Sequence, residues 1–527
     1  MLVVLRRPVA LGIAASIAIA IGSYGAGATR YRGGLMEQAG LKFLTFGHGR
    51  ALMEVLLTLG VVALVIAWLL LGRVCRTGAQ MRHATWLWAG PLALSAPIMS
   101  RDVYSYLVQG AMHRDGVDPY VYGPAANPGN YLWEVSHDWR NTTTPYGPLH
   151  LWLGKAVTSI TGENITAGVI AFRLLAVAGF VLIVWSLPRI AVCLGSNPAF
   201  ALWLGAANPV VLLHLIGGMH NEALMVGLVS LGLVVLLSSR GSTSPTGSRG
   251  TEAIAITAAV ALIALAVSLK ATAAIVLPFT VWMILDRLRR CNSTDGTVST
   301  ASTVRLTGLF LVAGAWALGV TVAVIHLVTV ASGSNWGWVR AVSGNTKVVN
   351  PLAVPTLAAE LVTPFIQLVE PAFSFNTALA ATRTVFSLVM LAGLIASWWV
   401  FRPVVNAALV ANDRRALSGA TTAYAVAFTA NTVTLPWYYV SLLTLAGVVN
   451  APRWLNKLLV GASTVIALAF LGGGHPRLYD PWFLLAAPII GFLAATKTPL
   501  LEPAGSLREP RDHGAHQSGA LAATHQG

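Results

Sequence analysis

Asp102 stands in Ser-Arg-Asp-Val-Tyr-Ser-Tyr (100–106), where an apolar segment ends and a long polar loop begins. An ionised carboxylate beside an apolar run is costly unless it is paired or functional. Held at a water–lipid boundary, it suits a substrate with one apolar and one hydrated end. As a general base it would take the proton of a weakly acidic hydroxyl while that oxygen forms its new bond. Partial desolvation would lift its pKa above the ordinary value of about 3.9 and strengthen it as a base. The plainer alternatives are a salt bridge to Arg101 or a helix cap. Tyr104 and Tyr106 follow on the same stretch, and Tyr146 stands in Thr-Pro-Tyr-Gly-Pro-Leu (144–149). Such rings pack against sugars, and they also furnish the aromatic belt of a membrane interface.

A second cluster is Gly-Gly-Met-His-Asn-Glu (217–222). The polar turn is short enough to keep His220, Asn221 and Glu222 near the membrane surface. Glu222 opens a helix, where the macrodipole favours an anion. His214 and His220 lack metalloprotease spacing and a third nearby ligand, so a zinc reading of this cluster is weak. Lys270 interrupts an apolar region as a candidate contact for a lipid-linked phosphate, with snorkelling as its alternative. Trp437 and Tyr438 in Leu-Pro-Trp-Tyr, and Arg477 in Gly-His-Pro-Arg (474–477), return to the same side. Arg477 is a second candidate phosphate contact, with Asp480 as its possible partner.

The elements that must position these residues are membrane helices. A chain of 527 residues that is 56% apolar and 10% charged, with a mean hydropathy of +0.69, cannot be kept soluble by its surface. Apolar stretches long enough to span about 30 Å of hydrocarbon centre near 9–27, 52–72, 84–99, 167–187, 198–216, 223–238, 252–269, 271–285, 306–330, 382–400, 419–435, 438–450, 458–472 and 482–496. The expectation is an all-α polytopic membrane protein of about fourteen transmembrane helices. Residues 1–496 form one integral domain, with outer loops at about 100–165 and 331–381 carrying short interfacial helices. Residues 497–527 are expected to form a disordered cytoplasmic tail, and 239–251 and 291–303 polar linkers.

Arg73, Arg76, Arg82, Arg287, Arg289, Arg290, Arg402, Arg414 and Arg415 fall in alternate loops, which the positive-inside rule assigns to the cytoplasm together with both termini. The net charge of +15 therefore reports topology and contact with membrane lipids, and no nucleic-acid partner is expected. Cys75, Cys193 and Cys291 match neither a disulfide framework nor a zinc site.

Asp-Val-Tyr-Ser-Tyr (102–106), Gly-Val-Asp-Pro-Tyr (116–120), Thr-Pro-Tyr-Gly-Pro-Leu (144–149), Gly-Gly-Met-His-Asn-Glu (217–222) and Leu-Pro-Trp-Tyr (435–438) together resemble the actinobacterial polyprenol-phosphomannose-dependent α-(1→6)-mannopyranosyltransferases of the MptA/MptB type. Arg-Gly-Gly-Leu (32–35) and Phe-Leu-Thr-Phe-Gly-His-Gly (43–49) look closer to the MptB branch. The resemblance implies a GT-C glycosyltransferase bundle with its cleft outside the plasma membrane. It implies a polyprenyl-phosphate-mannose donor, a lipid-anchored α-1,6-mannan acceptor of lipomannan and lipoarabinomannan synthesis, and transfer with inversion. The acid of the first large outer loop, the catalytic base of the family, maps onto Asp102. Arg101, Tyr104, Tyr106, Tyr146, His220, Asn221, Glu222, Trp437 and Tyr438 would bind substrate, and Lys270 and Arg477 the donor phosphate. A divalent cofactor is not supported, because Asp102 lacks the adjacent acid common in the GT-C pattern. The competing readings are a transferase using another polyprenyl-phospho-sugar, a lipid-linked sugar transporter or flippase, and a membrane scaffold.

Overall fold

The structure is a computed structural model that describes residues 2–239, 249–291, 303–344 and 349–498. Most of the expected tail and of both polar linkers lies outside the described residues. The described chain is helical, and its one β-bridge joins Phe470 to Pro476. Among the described residues seven helices are long and apolar enough to cross a membrane: Arg6–Ala26, Gly47–Val74, Ile165–Cys193, Gly250–Leu269, Ala271–Arg290, Val304–Ser332 and Phe375–Val400. An eighth span is obtained if Pro198–Gly205 and Pro209–Gly217, bent by 49°, are counted as one.

Each of the fourteen expected stretches overlaps a helix, but several of these helices are short. The stretches at 84–99 and 458–472 correspond to Gly78–Ala93 and Arg453–Leu468, of 16 residues each. The stretch at 438–450 corresponds to Tyr439–Ala446, of eight residues. At 1.5 Å per residue that last helix is about 12 Å long, well short of the hydrocarbon thickness.

Lipid tails are as apolar as leucine, so helices in a membrane associate through close backbone approach and polar bonds. Both devices surround the site. A methyl group on Gly110 would stand 2.3 Å from the Gly154 carbonyl carbon. The helices Asp102–Arg114 and Pro148–Thr161 thus meet backbone to backbone, which brings Tyr106 to His150. Gly179 and Ala223 make the same kind of contact between Ile165–Cys193 and Glu222–Ser238. Trp68 and Trp203 stack at 4.8 Å, and each indole N–H donates to the other's carbonyl at 2.9 Å. Arg173, only 6% exposed, donates to the carbonyls of Ser95 (2.7 Å), Leu92 and Ile216. It thereby fastens the segment before Asp102 to the turn before His220.

Candidate active site

Asp102 is the first residue of its helix, with Arg101 as N-cap and the Ser100 hydroxyl accepting from the Asp102 N–H at 3.1 Å. The preceding strap is bound from two sides: Ile98 N–H donates to Gly217 O (3.2 Å) and Met99 N–H to Gly472 O (2.7 Å). Met99 and Met219, each just ahead of a site residue, have φ of 60° and 56°. Left-handed geometry at a residue with a Cβ costs roughly 1–2 kcal/mol, a strain that persists where surrounding contacts over-determine the backbone and that clusters at functional sites.

The strap and turn bring Asp102 Oδ2 to 3.5 Å from His220 Nδ1, with 13% of the Asp102 side chain open and His220 fully enclosed. The Tyr106 hydroxyl lies 3.4 Å from the same nitrogen. Trp437 stacks on the imidazole, with centroids 3.6 Å apart and planes at 16°. Tyr146 and Tyr106 meet edge to face at 5.4 Å. Asn221 Nδ2 lies 3.2 Å from His150 Nδ1. Glu222 and Lys270 form a buried ion pair, and the ammonium sits 4.2 Å from the centre of the Tyr438 ring. Tyr106, Tyr146, His220, Asn221, Glu222, Lys270, Trp437 and Tyr438 therefore converge on Asp102 from five separate stretches of chain.

Burial pushes the Asp102 carboxyl up to about 6, with Glu222 adding to the shift and Lys270 opposing it. Burial also lowers His220 well below the ordinary histidine value and His150 to about 3. Both rings are neutral near pH 7.

Asp102 faces a cleft of about 490 Å³, whose walls also include Trp139, Asn350, Trp437 and Tyr479. Among the described residues no three His, Cys, Asp or Glu side chains cluster as metal ligands.

The N-terminal-domain model of the α-(1→6)-mannopyranosyltransferases matches residues 9–286. The chain belongs to this family. α-(1→6)-Mannopyranosyltransferase A of Corynebacterium glutamicum is 46% identical over 486 residues, covering 90% of this chain and 94% of the relative. The A protein of Mycobacterium tuberculosis is 36% identical, covering 93% and 90%. The B protein of C. glutamicum is 30% identical, covering 66% and 58%. The expected leaning toward the B branch is therefore corrected: the short motifs at 32–35 and 43–49 weigh less than identity along the whole chain. No solved structure matches this mannosyltransferase.

Within this family member, two expected residues brace the cleft. Arg101 turns away from Asp102. It donates to Glu134 Oε2 at 3.0 Å, Glu134 O at 3.0 Å and Thr29 O at 2.7 Å, and its guanidinium lies 3.8 Å from the Tyr31 ring centre. The Tyr104 hydroxyl donates to Ala28 O at 2.8 Å. The two cations expected at a donor phosphate are engaged elsewhere. Lys270 is enclosed with Glu222, and Arg477 donates to Thr58 Oγ1 at 2.9 Å, with neither among the cleft walls. Sequence reasoning passed over Glu134 and His150. Glu134 is 1% exposed and accepts from the N–H groups of Tyr31 and Arg32. His150 follows the quoted Pro-Tyr-Gly-Pro-Leu motif directly, so its position one turn beyond Tyr146 was the available signal. The arrangement places one basic carboxylate, backed by a neutral imidazole, on the wall of an aromatic-lined cleft: the equipment for deprotonating a hydroxyl nucleophile.

Proposed function

We propose that this protein transfers mannose from polyprenyl-phosphate mannose to a lipid-anchored α-1,6-mannan, extending the core of lipomannan and lipoarabinomannan. The observation that carries the reading is the Asp102 carboxylate, partly open to the cleft and supported from behind by His220, in a chain whose relatives are named α-(1→6)-mannopyranosyltransferases.

Asp102 takes the proton of the acceptor hydroxyl as that oxygen bonds to C1 and the C1–O(phosphate) bond breaks toward the phosphate. The β-linked donor then gives α-linked product in one displacement, which needs no second carboxylate as nucleophile. With its proton on Nδ1, neutral His220 points a donor at Asp102 Oδ2 and fixes the carboxylate's direction. Trp437 holds the imidazole plane, and the Lys270 charge favours the ionised base. Tyr146, Asn221 and Tyr438 shape the inner end of the site. The fold assigned to this chemistry is a GT-C bundle of about fourteen helices in residues 1–496. Its cleft lies on the extracytoplasmic face and its termini in the cytoplasm, in keeping with the arginine-rich alternate loops.

The test is incubation of purified protein with labelled polyprenyl-phosphate mannose and a short α-1,6-mannoside, followed by linkage analysis. The expected product carries one further α-1,6-linked mannose. Transfer from a different lipid-linked sugar, with none from this donor, overturns the reading.

A further inference from the structure

The charge that appears on the leaving phosphate must meet a cation in the cleft, and the cations expected there are occupied. Among the described residues three arginines line the cleft: Arg30, Arg50 and Arg101. Arg101 is bound to Glu134 and Thr29, and Arg30 reaches Thr166 at 3.4 Å and Glu134 at 3.8 Å. Arg50 differs from both. Among the described residues its guanidinium makes no hydrogen bond or ion pair, and its side chain is exposed.

Arg50 lies beside the glycine loop 472–474. A methyl group on Gly473 would lie 3.6 Å from Arg50 Nη2, and one on Gly474, where φ is 96°, would lie 3.2 Å from Met99 O and 3.4 Å from Ser100 N. One loop therefore spans from the Arg50 guanidinium to the strap that carries Asp102, and its missing side chains leave the space between them open. His475, exposed on the next residue, lines the same wall.

The surroundings of Arg50 indicate what kind of anion fits. Leu52, Val55, Leu59, Val62 and Ile66 follow at alternating three- and four-residue spacing, all exposed, and so form one outward apolar stripe on the helix Gly47–Val74. Phe46, 60% exposed, precedes Arg50 by one turn. A free cation at the start of an apolar stripe matches an anionic headgroup whose hydrocarbon tail continues along the helix.

We infer that Arg50, assisted by His475, is the phosphate subsite for the lipid-linked donor, binding the phosphate oxygens while the polyprenyl chain follows the stripe from Leu52 to Ile66. This rests on the proposed donor. Arg50 acts as a forked, permanently charged donor set that gains strength as the phosphate passes from one negative charge to two on departure.

The test uses full-length protein in phosphatidylcholine nanodiscs and reads direct binding of a short-chain polyprenyl monophosphate, which requires no turnover. Wild type is expected to bind, and Asp102→Asn at least as tightly, since a negative charge facing the same cleft is removed. Arg50→Ala should bind about 10–100-fold more weakly, with Arg50→Lys in between and His475→Gln showing a smaller loss. Turnover with polyprenyl-phosphate mannose should fall in the same order. Equal binding by wild type and Arg50→Ala overturns the subsite, as does absence of binding by wild type. Displacement of the ligand by phosphatidylglycerol at bilayer concentrations also overturns it, assigning Arg50 to ordinary headgroups. If binding depends on Arg50 but mannose is not transferred, the subsite stands and the donor assignment fails.

Discussion

The ammonium of Lys270 pairs with Glu222 inside the protein, behind the cleft wall that carries Asp102. Breaking a buried pair from one side leaves an uncompensated charge, at a cost of roughly 3–5 kcal/mol. Lys270→Ala is therefore expected to lower thermal stability in detergent as well as activity. The double change Lys270→Met with Glu222→Gln should recover most of the stability and little of the activity. A Lys270→Ala protein with unaltered unfolding temperature would refute the structural role of the pair.

Asp102→Asn keeps the shape of the side chain and removes the base. Transfer should fall roughly 10²–10⁴-fold, while the unfolding temperature holds or rises, since a desolvated charge has been removed. Near-normal turnover in washed membranes would exclude Asp102 as base.

The pH profile follows from the same carboxyl. Burial raises its pKa from 3.8 to about 6, so the active, deprotonated form is lost as pH falls through that value. The acid limb of kcat/KM, which reports the free enzyme, should rise with pH, with a midpoint near 6, and level off above about pH 7. A limb with its midpoint at an ordinary carboxyl value would place the working base elsewhere.

His220 supports the base from behind, and a misplacement of about 1 Å at a reacting group can cost on the order of 10²-fold. His220→Ala should reduce kcat by about that factor with little change in donor KM. His220→Gln, which keeps a polar group beside Oδ2, should recover part of the loss. Near-normal kcat in His220→Ala would leave the imidazole no part in holding the base.

Arg101 and Glu134 tie the outer loop to residues 29–32 through contacts on a carboxylate that is 1% exposed. Glu134→Ala should cost roughly 3–5 kcal/mol and expose the 100–140 region to limited proteolysis. Unchanged cleavage kinetics would contradict this clamp.

What the sequence determined by itself is the part that depends on composition and local order. Apolar length makes the membrane class unavoidable. A carboxylate at the edge of an apolar run, and a His-Asn-Glu turn too short to leave the interface, marked Asp102 and His220 before any contact was known. The tertiary structure decided which charge meets which. Arg101 is next to Asp102 in the chain yet is bound to Glu134, Lys270 is matched by Glu222 from 48 residues away, and Arg50, outside the motifs weighed for chemistry, is the cleft arginine left open. Trp437 reaches His220 across more than two hundred residues, and the stretch expected as a span at 438–450 becomes an eight-residue helix beside it. The reason is physical. Hydropathy and helix periodicity are summed along the chain, whereas neutralisation, stacking and desolvation depend on distances across it, which exist only once the glycine contacts have brought the helices together.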